Sequence, residues 1–199
     1  MIHTQITLTV NMEVTVHHIV LNGRSPPVLK EGFTLIELLI SITVLTILLV
    51  LTVPSFKDML MNNRITAHTD ALSSALHYAR NIALSQNMNV MACPFGAAGS
   101  TACGGSWQNG WIIVSQPATG APVLLQAKNT GPNDPVISAT APSVTFDARG
   151  IASTQGNFTI CDSRGGAFAQ SVQVLPTGFV QSGSTMGIAV WDGNGITCP

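Results

Sequence analysis

Apolar and polar positions divide the chain into four stretches, each with its own rhythm. From Phe33 to Val53 the sequence reads FTLIELLISITVLTILLVLTV, apolar on every side with one charge, Glu37. A helix over these residues rises about 31 Å at ~1.5 Å per residue, close to the ~30 Å hydrocarbon core of a bilayer. All its backbone polar groups are satisfied within the helix. The pattern predicts a transmembrane helix over 33–53. After Pro54 the apolar residues thin out to every third or fourth position: Phe56, Leu60, Leu72, Leu76, Ala79 and Ala83, with a gap around Arg64–His68. Lys57, Asp58, Asn62, Asn63, Asp70 and Arg80 fall between them, so 54–87 reads as an amphipathic continuation of the helix. Pro54 removes one backbone donor and is expected to kink it.

Beyond residue 88 the period shortens. Strands are predicted near Asn89–Cys93, Trp111–Ser115, Val123–Ala127, Val144–Asp147, Phe158–Cys161, Ser171–Leu175 and Gly187–Trp191, joined by clusters of Gly, Pro, Asn and Ser. The fold class expected is α+β: a long N-terminal helix, transmembrane and then amphipathic, packed against an antiparallel β-sheet domain over 88–199. Trp107 and Trp111 are assigned to core packing; His68, Tyr78 and Arg80 to the surface or the helix–sheet contact.

Composition sharpens this. Only 9% of the 199 residues are charged, and mean hydropathy is +0.37, which fits one long apolar segment. The net charge of −1 gives no global case for nucleic acid or anionic lipid. Residues 1–32 form a polar leader with Arg24 and Lys30. A secretory signal has a short apolar core followed by its cleavage site; here a polar leader precedes a full-length span, so the span stays with the protein. Positive charge before the span places the leader in the cytoplasm and the domain outside it. The four cysteines, Cys93, Cys103, Cys161 and Cys198, all follow the span, which favours an oxidising compartment. With no CxxC pair and no histidine after Cys93, no metal is expected. Three disulfide connectivities are open. The local pairing, Cys93–Cys103 with Cys161–Cys198, is preferred: the first closes a hairpin-like connection, the second fastens a later segment to a strand. Their loops of 11 and 38 residues correspond to about 3 and about 4 kcal/mol of chain entropy.

The carboxylates beyond the span are scattered, and Asp147 and Asp162 stand beside Arg149 and Arg164 in turn-like strings, where local turn chemistry is the default. No catalytic constellation is present, no cofactor is implied, and the chain is not expected to be an enzyme. Glu37 stands apart. A carboxylate in a membrane span costs roughly 2.5–3.5 kcal/mol on insertion scales. A cut after Gly32 would free an α-amine on Phe33, four residues before it.

The stretch Gly32-Phe33-Thr34-Leu35-Ile36-Glu37 resembles the class III signal of type IV prepilins and pseudopilins. Further strings resemble the GspH/FimT branch: Leu76-His77-Tyr78-Ala79-Arg80-Asn81-Ile82-Ala83, Val90-Met91-Ala92-Cys93, Trp107-Gln108-Asn109-Gly110-Trp111, Phe146-Asp147-Ala148-Arg149-Gly150 and Cys161-Asp162-Ser163-Arg164-Gly165. The resemblance covers Phe33–Pro199 and implies a pilin-like fold. It implies cleavage between Gly32 and Phe33 by prepilin peptidase, N-methylation of Phe33, and pairing of Glu37 with that amine on an adjacent subunit. Pro54 falls where pilins commonly carry a kinking proline. The leader is long for the family, which points to Met12 or a later start, and Glu31 stands where a basic residue is commoner.

The role implied is a minor pilin of a type IV pilus, in the bacterial inner membrane with its domain in the periplasm, and then in the filament. Its partners would be major and minor pilins or pseudopilins, prepilin peptidase and inner-membrane lipid. A GspH-like minor pseudopilin of type II secretion is one alternative, a FimT-like DNA-binding pilin another. DNA is disfavoured: Phe33–Pro199 carries six Lys/Arg against seven acids, and backbone binding needs clustered cations. Where DNA-binding members have an Arg-rich motif after a Thr-Gly turn, this chain reads Thr177-Gly178-Phe179-Val180-Gln181. Arg149 and Arg164 remain as candidate DNA contacts, and Phe179 is expected in the core.

Overall fold

The computed structural model describes residues 32–199; within the helix, the side chains of 51–55 are not described. The leader, with the Lys30–Glu31 junction and the Met12 start, lies outside the described residues, as does the side chain of Pro54. The described residues divide into two units, the first ending at Leu45 and the second running over Thr46–Pro199.

In the first unit Gly32–Thr34 are non-helical and helix α1, Leu35–Gln86, begins. Thr34 caps it: its Oγ1 accepts from the Glu37 N–H at 3.2 Å and its carbonyl from the Leu38 N–H at 3.1 Å, satisfying donors that a helix start leaves without partners. Every described side chain from Phe33 to Val50 is exposed. Among the described residues no helix is long and apolar enough to cross a membrane. The span expected over 33–53 runs past Val50 into side chains that are not described.

The second unit holds the rest of α1 and eight strands: β1 Asn89–Pro94, β2 Gly110–Gln116, β3 Val123–Asn129, β4 Val136–Ala139, β5 Val144–Phe146, β6 Gly156–Cys161, β7 Gln170–Val174 and β8 Val180–Ser182. They form two four-stranded antiparallel sheets, ordered β3-β2-β1-β5 and β4-β6-β7-β8, where one sheet was expected. The chain leaves the first sheet for β4, returns for β5 and leaves again for β6. Strands β4 and β8 are not among those predicted. The strand expected at Gly187–Trp191 is instead an irregular segment with one isolated bridge, Ile188–Gly195. Gly187 sits there at φ 77°. The Ser171 hydroxyl takes up the segment's polar groups, donating to the Ile188 carbonyl at 3.2 Å and accepting from the Val190 N–H at 3.0 Å.

One core joins helix and sheets: Leu72, Leu76, Ala79 and Ala83 of α1 meet Trp111, Phe146, Phe158 and Val172. Period-two alternation sends Ile112 and Val114 to a smaller cluster on the other face of β2, with Cys93. Trp107 packs edge-on to Phe158 at 4.9 Å between centroids and donates its indole N–H to the Ala141 carbonyl at 2.9 Å. Both tryptophans are core residues. The apolar stripe of α1 is displaced from its expected course: Phe56 and Leu60 are 60% and 42% exposed, and burial begins at Ile65. The apparent gap at 64–68 is filled by Ile65 and His68, with Thr69 buried next to them; Thr69 hides its hydroxyl by donating to the Ile65 carbonyl at 2.9 Å. At the far end Asn87 turns left-handed (φ 50°) and the Met88 N–H bonds the Ala83 carbonyl at 3.2 Å, the pattern that ends helices and releases the chain into a strand.

Candidate functional site

The segment Gly32–Glu37 is exposed throughout. Nothing lies within 4 Å of where a Cβ would sit at Gly32, so the described structure gives no steric reason for glycine there. Phe33 is 83% exposed. Among the described residues the Glu37 carboxylate has no hydrogen-bond or ion-pair partner in its own chain. Its backbone is engaged, the N–H with Thr34 and the carbonyl with the Ser41 hydroxyl at 2.8 Å. The arrangement presents an accessible glycine–phenylalanine bond and, one helical turn on, an uncommitted carboxylate.

In the second unit the two arginines named as DNA contacts sit in separate turns. Asp147 accepts from the backbone N–H groups of Arg149 and Ile151, each at 2.9 Å, and pairs with the Arg149 guanidinium at 2.9 Å. The Ile151 N–H, and then Arg149, hold its carboxyl below the usual carboxylate range. Asp162 repeats the pattern with Arg164, at 2.9 Å to its N–H and 2.7 Å to its guanidinium. Here the arginine goes further: it donates to Asn62 Oδ1 at 2.8 Å, stacks on Phe168 at 4.3 Å and comes within 4.0 Å of Asp58. The two arginines do not converge. The Arg149 turn lies against Arg80 and Leu84, whereas Arg164 contacts Asn62, about 27 Å back along α1 at ~1.5 Å per residue. Among the described residues these two arginines sit in separate turns, each paired with its own aspartate.

Arg80, assigned to the surface or the helix–sheet contact, holds the sheets to the helix through specific bonds. Arg80 donates to the carbonyls of Gly150 (3.1 Å) and Thr177 (3.5 Å), clamping two turns, one from each sheet, onto the helix. Gly150 (φ 74°) and Gly178 (φ 78°) meet there back to back. A Cβ at Gly178 would come within 1.8 Å of the Gly150 carbonyl oxygen, so this approach admits only glycine. Nothing in the spacing of Arg80 marked this role. The contact spans 70 residues. Phe179, expected inside, is 51% exposed: the glycine turn that fixes its backbone sends its side chain outward. Disulfides join Cys93 to Cys103 and Cys161 to Cys198, with Cα separations of 5.6 and 5.9 Å. The second fastens the segment after β8 beside Ala169, Ala189 and Ile196. Among the described residues no group of metal-ligating side chains gathers.

Residues 29–53 match the prokaryotic N-terminal methylation motif. With a capped helix behind that motif and a β domain after it, the class is that of pilin-like proteins. Residues 68–178 match the family described as Type II transport protein GspH. That match covers more than half of the chain, which belongs to the GspH family. No curated protein matches. Among solved structures, type IV minor pilin FimU of Pseudomonas aeruginosa is similar in two crystal forms, each at 18% identity and TM-score 0.48; they cover 62% and 59% of this chain and 95% and 91% of theirs. A likeness at that level adds nothing to the family assignment.

Proposed function

We propose that the chain is a minor subunit of a type IV pilus. On this reading prepilin peptidase cuts it between Gly32 and Phe33, the new amine is methylated, and α1 anchors it in the inner membrane with its β domain in the periplasm until assembly. The observation that carries the reading is Glu37. It is an exposed carboxylate without a partner among the described residues of its own chain, one turn after a glycine for which the described structure gives no steric reason. A carboxylate at membrane depth calls for a cation, and the freed amine of a neighbouring Phe33 supplies one at the matching depth. Pro54 would set the bend of the helix within the bundle.

The reading is tested in cells by comparing sheared filaments with membranes. Glu37→Ala and Glu37→Gln are expected to insert and to be cleaved normally, yet to fall at least about fivefold in filaments, the size expected from losing ~1 kcal/mol of pairing. Normal incorporation of both variants refutes the pairing, and retention of residues 1–32 in cells with active peptidase refutes the whole reading. The family model's own description favours a second reading, a minor pseudopilin of type II secretion. Cross-linking in cells that hold both machines separates the two by the neighbours captured. A DNA-uptake role has less support, since Arg149 and Arg164 are both paired and lie apart.

A further inference from the structure

We propose that His68 and Asp134 form a pH-sensitive latch: with His68 neutral, the connection from β3 to β4 is held on α1, and protonation of His68 releases it. His68 lies in the buried stripe of α1 between Ile65 and Leu72 and is 7% exposed. Its Nε2 stands 3.4 Å from Asp134 Oδ1. The other carboxylate oxygen accepts from the Gly131 N–H at 2.8 Å, and the Asp134 N–H bonds the Gly131 carbonyl at 3.1 Å. The turn thus fixes its own carboxylate, which can only accept from the ring. Nε2 therefore carries the proton in neutral His68, and Nδ1 is left as an acceptor.

That Nδ1 is buried with no partner among the described residues. A second proton placed there would find no acceptor and would create a buried cation. Of the charged groups around it, Lys128 works against that cation and Asp134 favours it. Lys128 of β3 carries the same sign and sits 5.4 Å from the centre of the Trp111 ring, whose own N–H is also buried without a partner among the described residues. Arg64, one turn earlier on α1, is a third cation, while Asp134 is the compensating anion. Strands β2 and β4 carry no ionisable side chain. Burial first, and then Lys128, lower the His68 pKa below its ordinary value of 6.5 despite the opposing pull of Asp134. The folded state binds this proton more weakly than the unfolded chain. The site's contribution to stability is therefore full above pH 6.5 and is lost as pH falls below it. The connection at stake carries the chain from one sheet to the other.

Hydrogen–deuterium exchange on the full chain in detergent micelles at pH 7.5 and 5.5, corrected for intrinsic rates, tests the latch. Protection across 130–136 is expected to drop about tenfold at the lower pH while β1 keeps its own, and His68→Gln is expected to show equal protection at both. An undiminished wild type, or an equal drop in His68→Gln, overturns the proposal. Should that variant fail to fold, NMR titration of the wild-type rings decides: a midpoint for His68 below that of exposed His77 supports the latch, and one at or above it overturns it.

Discussion

Two turns with nearly the same sequence, Asp147-Ala-Arg-Gly and Asp162-Ser-Arg-Gly, fold alike and are held in place by different means. In each, an aspartate gathers the N–H two residues on and pairs with the arginine. Around Asp147 the arginine stops there, 78% exposed, and the turn is fixed from outside by Arg80 and by the close approach of Gly178. Around Asp162 the turn's own arginine, 12% exposed, reaches Asn62 and docks the turn on the helix itself. Local sequence sets the turn. The residue that anchors it is chosen by whatever the rest of the chain brings alongside.

That contrast can be broken at three points. Gly178→Ala should cost most, about 4 kcal/mol or more, since a Cβ must enter left-handed backbone and push away a carbonyl. Urea melts should show the midpoint fall sharply, and a change under about 1 kcal/mol would mean the two turns do not need each other. Arg164→Ala follows at about 3 kcal/mol, because it strands Asp162 in a half-closed site; thermal unfolding should move by roughly 10 °C. Arg149→Ala comes last, with Tm within about 1 °C of wild type, as expected of an exposed pair. A large loss there would show that the exposed arginine anchors its turn after all.

The same contrast explains what the sequence discloses. Both aspartate turns are legible because four neighbouring residues write them, as is the Gly32–Glu37 motif; Thr34, read as part of the helix, instead caps it. Six of the seven predicted strands appear within a residue or two of their expected places, since alternation is local. What escapes is set at long range. The sequence pattern runs the stripe of α1 through Phe56 and Leu60, yet burial starts at Ile65, where the β domain begins to cover the helix. Short β4 and β8 are edge strands defined by their partners β6 and β7. Gly187–Trp191 has strand-like composition but is held by Ser171 in another form. Arg80 and His68, both assigned to packing or surface, acquire their roles from residues tens of positions away.

The clamp at Arg80 gathers one turn from each sheet onto a single stretch of helix, and the crossing between β3 and β4 rests on the same helix three turns earlier, at His68. Tension along that stretch is therefore divided between the sheets rather than carried by one. The domain should therefore yield to a pull as one body.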